Sequence, residues 1–134
     1  YTQWSMNQFV KVRKNHHGLD AIRAFLEMTL IDVSDAARHK GCLLVNSVLE
    51  LDGVEPHLYA HAHDALGCLE EMIRQCIDEA ITMKALRFDI NEHDAVGLFM
   101  NQIQGLRVES RQGLSNEEAQ RRVNTLLNLV SIPH

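Results

Sequence analysis

The sequence predicts an all-α domain, and three observations support this prediction. Aromatic residues make up only 5% of the 134 residues, and the chain has two prolines. Strands are rich in β-branched and aromatic residues, so this largely aliphatic composition favours helices. Apolar residues recur at three- and four-residue steps, and no segment alternates with the two-residue period of a strand. We therefore expect one domain of about six helices, long enough to bury a hydrophobic core.

The first two helices are predicted on either side of a polar turn. The first runs from about Thr2 to Lys14 and ends in the sequence NHHG, residues 15–18. The second runs from Leu19 to about Val33. Five of its residues share one face at helical spacing and are expected to face the core: Ala21, Ile22, Phe25, Leu26 and Thr29.

A short helix and a long helix are predicted in the middle of the chain. GCLLVNSVLEL, residues 41–51, predicts a short third helix, and Gly53 is placed to end it as a C-cap. Pro56 stands where a proline at the first helical position is tolerated. The fourth helix is expected to continue to about Lys84. One apolar stripe follows it: Leu58, Ala62, Ala65, Leu69, Met72, Ile73, Cys76 and Ala80.

The last two helices begin at recognisable capping sequences. Asn91 is an N-cap residue type before the fifth helix, and Gly113 follows the end of that helix. Ser115 and Glu118 form the capping-box pattern at the start of the sixth helix. The sixth helix has a short apolar stripe: Val123, Leu126, Leu127 and Val130.

Charge and cysteine usage limit the partners and the compartment. The formal net charge is −5, so the chain lacks the basic balance of a protein that binds nucleic acid by itself. Its three cysteines, Cys42, Cys68 and Cys76, have no paired spacing. Unpaired cysteines are typical of a reducing compartment, so a cytoplasmic protein is expected. No apolar run reaches the roughly 18 residues of a membrane span, so no membrane contact is expected.

Sequence motifs of common enzymes are absent. No Glu-x-x-His pair precedes any of the eight histidines, as a di-iron helical bundle would require. The chain also lacks HExxH, a P-loop, GxGxxG and GxSxG. The sequence therefore predicts no enzyme and no cofactor.

Three segments in order resemble the regulatory half of TetR-family transcriptional regulators. They are GLDAIRAFLE at residues 18–27, GCLLVNSVLEL at 41–51, and FMNQIQGLRVESRQGLSNEEAQRRVNTLLNLV at 99–130. Members of this bacterial family often have a Gly-Cys-hydrophobic-Asn-Ser/Thr segment in a middle helix. They also often have a Gln-Gly-Leu-Arg-Val-like segment before a capped last helix. The resemblance covers about residues 18–134.

The resemblance implies a domain organisation and a function. Residues 1–134 would form a ligand-binding and dimerisation domain, and residues 1–17 would connect it to an N-terminal helix-turn-helix head that this sequence does not contain. The intact protein would be a homodimeric repressor, joined by a four-helix bundle of the last two helices of each subunit. A small-molecule effector would release it from operator DNA, which only the head would contact.

The resemblance places an effector pocket among the middle helices. Such pockets are built from bulky apolar side chains and a few polar groups. Few charged residues lie on the predicted apolar faces, so the effector is expected to be apolar or aromatic rather than an anion. The expected lining residues are Phe9, Phe25, Met28, Cys42, Asn46, Met72, Phe99, Met100, Ile103 and Gln104.

The predicted dimer interface combines small, apolar and charged residues of the last two helices. Two glycines eight residues apart would permit another helix to approach closely, and arginines would form a charged rim that fixes the register. The expected interface residues are Gly97, Gly105, Arg107, Arg122, Leu126, Leu127 and Val130.

Two alternatives would place a sensor in the same fold, and a third has no ligand. Cys42 follows Arg38, His39 and Lys40 at a helix start, where a thiol can be reactive, although a small buried cysteine is the simpler interpretation. One stripe of the long helix has residue types that can bind a metal ion, although the same residues could simply form a polar boundary beside the apolar face. This stripe consists of His57, His61, Asp64 and Cys68. The third alternative is a helical adaptor module.

Overall fold

Five α-helices make up most of the chain that the computed structural model describes, which is residues 2–31 and 56–132. Side chains are described from residue 7 onwards in the first range, and at Asp64 and from Leu66 onwards in the second. The helices are α1 (Thr2–Arg13), α2 (Gly18–Leu30), α3 (Pro56–Thr82), α4 (Glu92–Arg111) and α5 (Asn116–Val130).

The all-α prediction is confirmed for the described residues, which form no strand and a single β-bridge, between Leu86 and Ser131. Each of the five helices lies where the sequence predicts one. Two of them end earlier than expected, α2 at Leu30 and α3 at Thr82. The short helix predicted in residues 41–53 lies outside the described residues.

Side-chain caps begin the last two helices, as the sequence predicts. The Asn91 side chain accepts a hydrogen bond from the Asp94 backbone N–H at 2.8 Å. The Ser115 hydroxyl accepts one from the Glu118 backbone N–H at 3.1 Å. Each cap satisfies a helix-terminal N–H that has no partner within the helix.

Helix α2 is the centre of the domain and packs against each of the other four described helices. All five residues of its predicted stripe are buried, with Phe25 and Ile22 fully inaccessible. The Phe25 ring stacks on Phe9 of α1, with ring centroids 4.4 Å apart. Apolar burial and this aromatic pair therefore hold α1 against α2.

The first residue of α2 has a backbone conformation that favours glycine. Gly18 has a φ of +60°, in the left-handed region that other residues seldom adopt. A Cβ atom there would lie 3.3 Å from Met83 Sδ and 3.5 Å from the Ala80 Cα. A side chain at this position would therefore meet both backbone strain and crowding.

One carboxylate joins the first three helices at this point. The Arg13 guanidinium donates hydrogen bonds to both Glu79 oxygens, at 2.6 and 2.5 Å. The backbone N–H of Gly18 donates to the same carboxylate at 2.9 Å. The Arg13 hydrogen bonds, reinforced by the Gly18 N–H, lower the pKa of Glu79 to about 2. Glu79 is thus ionised at any pH where the protein is expected to work.

The end of α5 is attached to the loop that follows α3. The Arg87 backbone N–H donates to the Val130 carbonyl at 2.8 Å, and the Ile132 N–H donates to the Ala85 carbonyl at 3.1 Å. These bonds satisfy backbone groups beyond the helix ends. They hold the α4–α5 hairpin at both its start and its end.

We expect Glu79→Gln to reduce the free energy of unfolding by about 1 kcal/mol at neutral pH, since it removes a charge-assisted pair whose carboxylate is 34% exposed. A carboxyl group with a lowered pKa stabilises the fold fully above its unfolded-state pKa, and this contribution is lost as the pH falls towards the folded value. The difference between the two proteins should therefore shrink between about pH 4.5 and pH 2. Urea unfolding of both proteins at one fixed protein concentration, over a series of pH values, measures this difference in the free energy of unfolding.

The matched control is Glu71→Gln, which removes an exposed carboxylate from the same helix, 3.8 Å from Arg74. We expect it to change the free energy of unfolding by less than about 0.5 kcal/mol. If Glu79→Gln were equally mild at neutral pH, or if its effect did not depend on pH, the carboxylate would not hold the three helices together.

Candidate functional site

A cavity lies between α3 and α4. Its volume is about 230 Å³, and its described lining consists of Leu66, Gly67 and Glu70 from α3 with Met100 and Gln104 from α4. Residues three or four apart on a helix share a face, so each helix contributes one short patch. The two patches face each other across the cavity.

The cavity combines an apolar wall with two polar groups. Met100 is only 8% exposed, and Leu66 packs against the hydrophobic core. Among the described residues, neither the Glu70 carboxylate nor the Gln104 amide forms a hydrogen bond, although Glu70 lies close enough to Arg74 to help raise the pKa of that guanidinium. A Cβ atom at Gly67 would meet nothing within 4 Å. The site therefore offers space, an apolar surface and polar groups able to bind a small molecule.

The structure brings together two of the predicted pocket residues, Met100 and Gln104, at this cavity. Four of the others are fully buried in the core and line none of it: Phe9, Phe25, Phe99 and Ile103. Met72 is partly buried and packs against that core, whereas Met28 is 43% exposed. Cys42 and Asn46 lie outside the described residues. The aromatic side chains fill the space between helices instead of surrounding an opening.

Sequence reasoning missed the contribution of α3 to the cavity. Leu66, Gly67 and Glu70 were not among the expected pocket residues, although one signal was present. Gly67 interrupts a long helical pattern, and an interior helical glycine costs up to about 1 kcal/mol relative to alanine. Such a residue often has a packing or functional reason, and here it opens space beside α4.

A second concave surface lies on the outside of the α4–α5 hairpin. This groove has a volume of about 380 Å³ and includes Leu98 and Gly105 of α4 with Arg122, Leu126 and Leu129 of α5. Leu129 is 56% exposed. Arg122 forms an ion pair with Glu109 across the two helices. Asn101, Gln102 and Thr125 also line it, so the groove combines leucine side chains with polar and charged ones.

Three of the predicted interface residues line this groove: Gly105, Arg122 and Leu126. Leu127 and Val130 are 3% and 0% exposed, because they fill the core of the subunit. Gly97 is exposed on α4 but is not part of the groove lining.

Arg107 requires a correction, because the structure places it inside the domain and not on an exposed rim. It is 3% exposed, and its guanidinium carbon lies 5.9 Å from the centroid of the Phe25 ring. Arg107 follows Ile103 by four residues and Phe99 by eight, so it belongs to the buried stripe of α4. The hydrocarbon part of its side chain packs there, and the aromatic face attracts its charge.

The metal and thiol alternatives stay predictions. Asp64 and Cys68 are both exposed on α3, but the side chains of His57 and His61 lie outside the described ones. Among the described residues, no group of three or more His, Cys, Asp and Glu side chains could hold a metal ion. Cys76 is a different case, since burial raises its pKa to about 11 and keeps its thiol protonated and unreactive.

Comparison with known protein families assigns this arrangement to a class. A family model described as "Tetracyclin repressor-like, C-terminal domain" matches residues 18–126. The helical hairpin with its outer groove and the cavity beside it thus lie in the regulatory domain of a transcriptional regulator. The match spans well over half of the chain, and the chain belongs to the TetR family. The regulatory domains of this family are generally not enzymes.

Neither the curated proteins nor the solved structures gave a match. Within the part of the chain that the structure describes, no helix has the length and hydrophobicity to cross a membrane.

Proposed function

We propose that this domain is the effector-binding and dimerisation part of a TetR-type transcriptional repressor. A small molecule with a large apolar part, aliphatic or aromatic, binds the cavity between α3 and α4. Its binding releases the intact homodimer from operator DNA, which a separate N-terminal head contacts. Operator DNA lies in the bacterial cytoplasm, so the repressor acts there.

The observation that carries this proposal is the cavity itself. Its walls include Leu66 and Met100, its two polar groups form no hydrogen bond with the described residues, and Gly67 leaves it open. A concave, partly apolar site with a few polar groups is what small-molecule binding needs.

Dimerisation is assigned to the outer groove of α4 and α5. Leu126 and Leu129 border it, and Gly105 leaves room for a helix of another subunit. The Arg122–Glu109 pair lies at its edge and would fix the register of the two subunits. Burying this groove against its two-fold mate removes the exposed Leu129 side chain from water.

Helix α3 can connect the cavity to α1. It provides Leu66, Gly67 and Glu70 to the cavity, and Glu79 further along holds Arg13 of α1. A ligand that binds one arrangement of α3 more tightly than another would shift the position of α1, and with it the head. Tight binding alone would shift nothing.

Gly67→Leu is expected to fill the cavity and to weaken the binding of octanol, used as an apolar probe, at least tenfold. The side chain enters open space, so the fold should tolerate it, and replacing a helical glycine should raise the stability by about 0.5–1 kcal/mol. Calorimetric titration measures the dissociation constant, and thermal unfolding checks the fold.

Gly97→Leu provides the control, since Gly97 is a second helical glycine with open space around it but is not among the cavity residues. The Gly97→Leu variant should gain about as much stability as Gly67→Leu and should bind octanol as tightly as the parent protein. Failure of the parent protein to bind octanol, or equal weakening by both substitutions, would overturn the assignment of the cavity.

A glycine-to-leucine substitution in the groove tests the proposed dimer interface. Gly105→Leu adds bulk to the groove and should weaken dimerisation at least tenfold, because overpacking a close contact costs about 1–3 kcal/mol. Sedimentation analysis over a concentration series measures this change. Gly97→Leu should leave the dimer intact, and a monomeric parent protein at all concentrations would contradict the proposal.

A further inference from the structure

We infer that the effector is a lipophilic cation, with an amine or quaternary ammonium group held at the Glu70 carboxylate and an apolar part against Leu66 and Met100. This inference rests on the proposed function of the cavity and specifies the chemistry of its ligand. Glu70 is the only charged residue in the described lining.

The described charged side chains of α3 that precede Arg74 are all negative. Asp64, Glu70 and Glu71 are exposed carboxylates on the part of the helix that borders the cavity. The first lysine or arginine of α3 is Arg74. Its guanidinium donates to Glu92 at 2.9 Å, lies 3.8 Å from Glu71 and is also attracted by Glu70. Arg74 is therefore largely neutralised, and the carboxylates set the sign of the local potential.

Helix α4 brings no positive charge to this surface. From Gly97 to Leu106 it has no charged residue, and the next residue, Arg107, is buried with its guanidinium over the Phe25 ring. Its contribution at the cavity is the thioether of Met100 and the amide of Gln104. An anionic ligand would thus meet repulsion from α3 and no charge compensation from the described part of α4.

The two polar groups suit an ammonium group in particular. The Glu70 carboxylate supplies charge, and the Gln104 side-chain oxygen can accept a hydrogen bond from an N–H donor. Glu70 is exposed, so it keeps part of its hydration, and a bound cation does not require a fully desolvated carboxylate. Met100 and Leu66 would cover the alkyl or aryl part of the ligand, where burial drives binding.

Three probes with the same alkyl chain and different head groups test this inference: octylammonium, octanol and octanoate. Calorimetric titration at low salt should give the tightest binding for octylammonium. Its dissociation constant should be about fivefold below that of octanol, the factor for an exposed ion pair of about 1 kcal/mol. Octanoate should bind more weakly than octanol, and added salt should reduce the advantage of the cation.

Glu70→Gln removes the charge at the cavity and retains the size of the side chain. It should abolish the preference for octylammonium, so that octylammonium and octanol bind with similar dissociation constants. Glu71→Gln removes the neighbouring carboxylate, which is outside the lining, and should preserve most of the preference.

The outcomes separate this inference from the proposed function. If none of the probes binds the parent protein, or if Gly67→Leu does not affect octanol, the cavity is not the effector site and both proposals fail. If octanol binds in the cavity but octylammonium binds no better, or if Glu70→Gln keeps the preference, only the cationic ligand is wrong.

Discussion

The hydrogen bonds that the Glu79 carboxylate accepts fix the positions of the first three helices relative to one another. This carboxylate accepts two hydrogen bonds from Arg13 of α1 and one from the first backbone N–H of α2, while belonging to α3 itself. The left-handed backbone of Gly18 brings that N–H within reach. Because the pKa of Glu79 is lowered to about 2, the junction keeps its charge. The Phe9–Phe25 stack holds α1 laterally, and Glu79 fixes its end.

Helix α3 carries this junction and one wall of the cavity on the same rigid element. Glu70 and Glu79 are nine residues apart, about 14 Å along the axis of an α-helix. A helix transmits a displacement over such a distance more faithfully than a loop, because its backbone hydrogen bonds keep its shape. Under the proposed function, a ligand that pushes α3 away from α4 therefore alters the position of the residue that holds α1.

The sequence predicted those parts of the fold that depend on local chemistry. The caps at Asn91 and Ser115 and the apolar stripe of α2 follow from side-chain type and helical spacing alone. The cavity did not follow, because it depends on how side chains from different helices meet. Phe9 and Phe25 stack on each other in the core, whereas the opening lies beside Gly67 on α3. The charge of Arg107 suggested an exposed rim of the dimer interface, but its position in the apolar stripe of α4 places it inside the domain.

The glycines in the helices are positions at which the chain has lower helix stability than alanine would provide. Glycine in a helix interior costs roughly 0.5–1 kcal/mol relative to alanine. Gly18 has a reason within the chain, since a Cβ atom there would meet Met83 and Ala80. At Gly67, Gly97 and Gly105 a Cβ atom would meet no described atom within 4 Å, so crowding among the described residues does not explain these glycines. Gly67 lines the cavity, Gly105 lines the groove, and Gly97 lines neither. Under the proposed function, the space at Gly67 admits a ligand and the space at Gly105 admits a second subunit, whereas the helix stability lost at Gly97 has no such explanation.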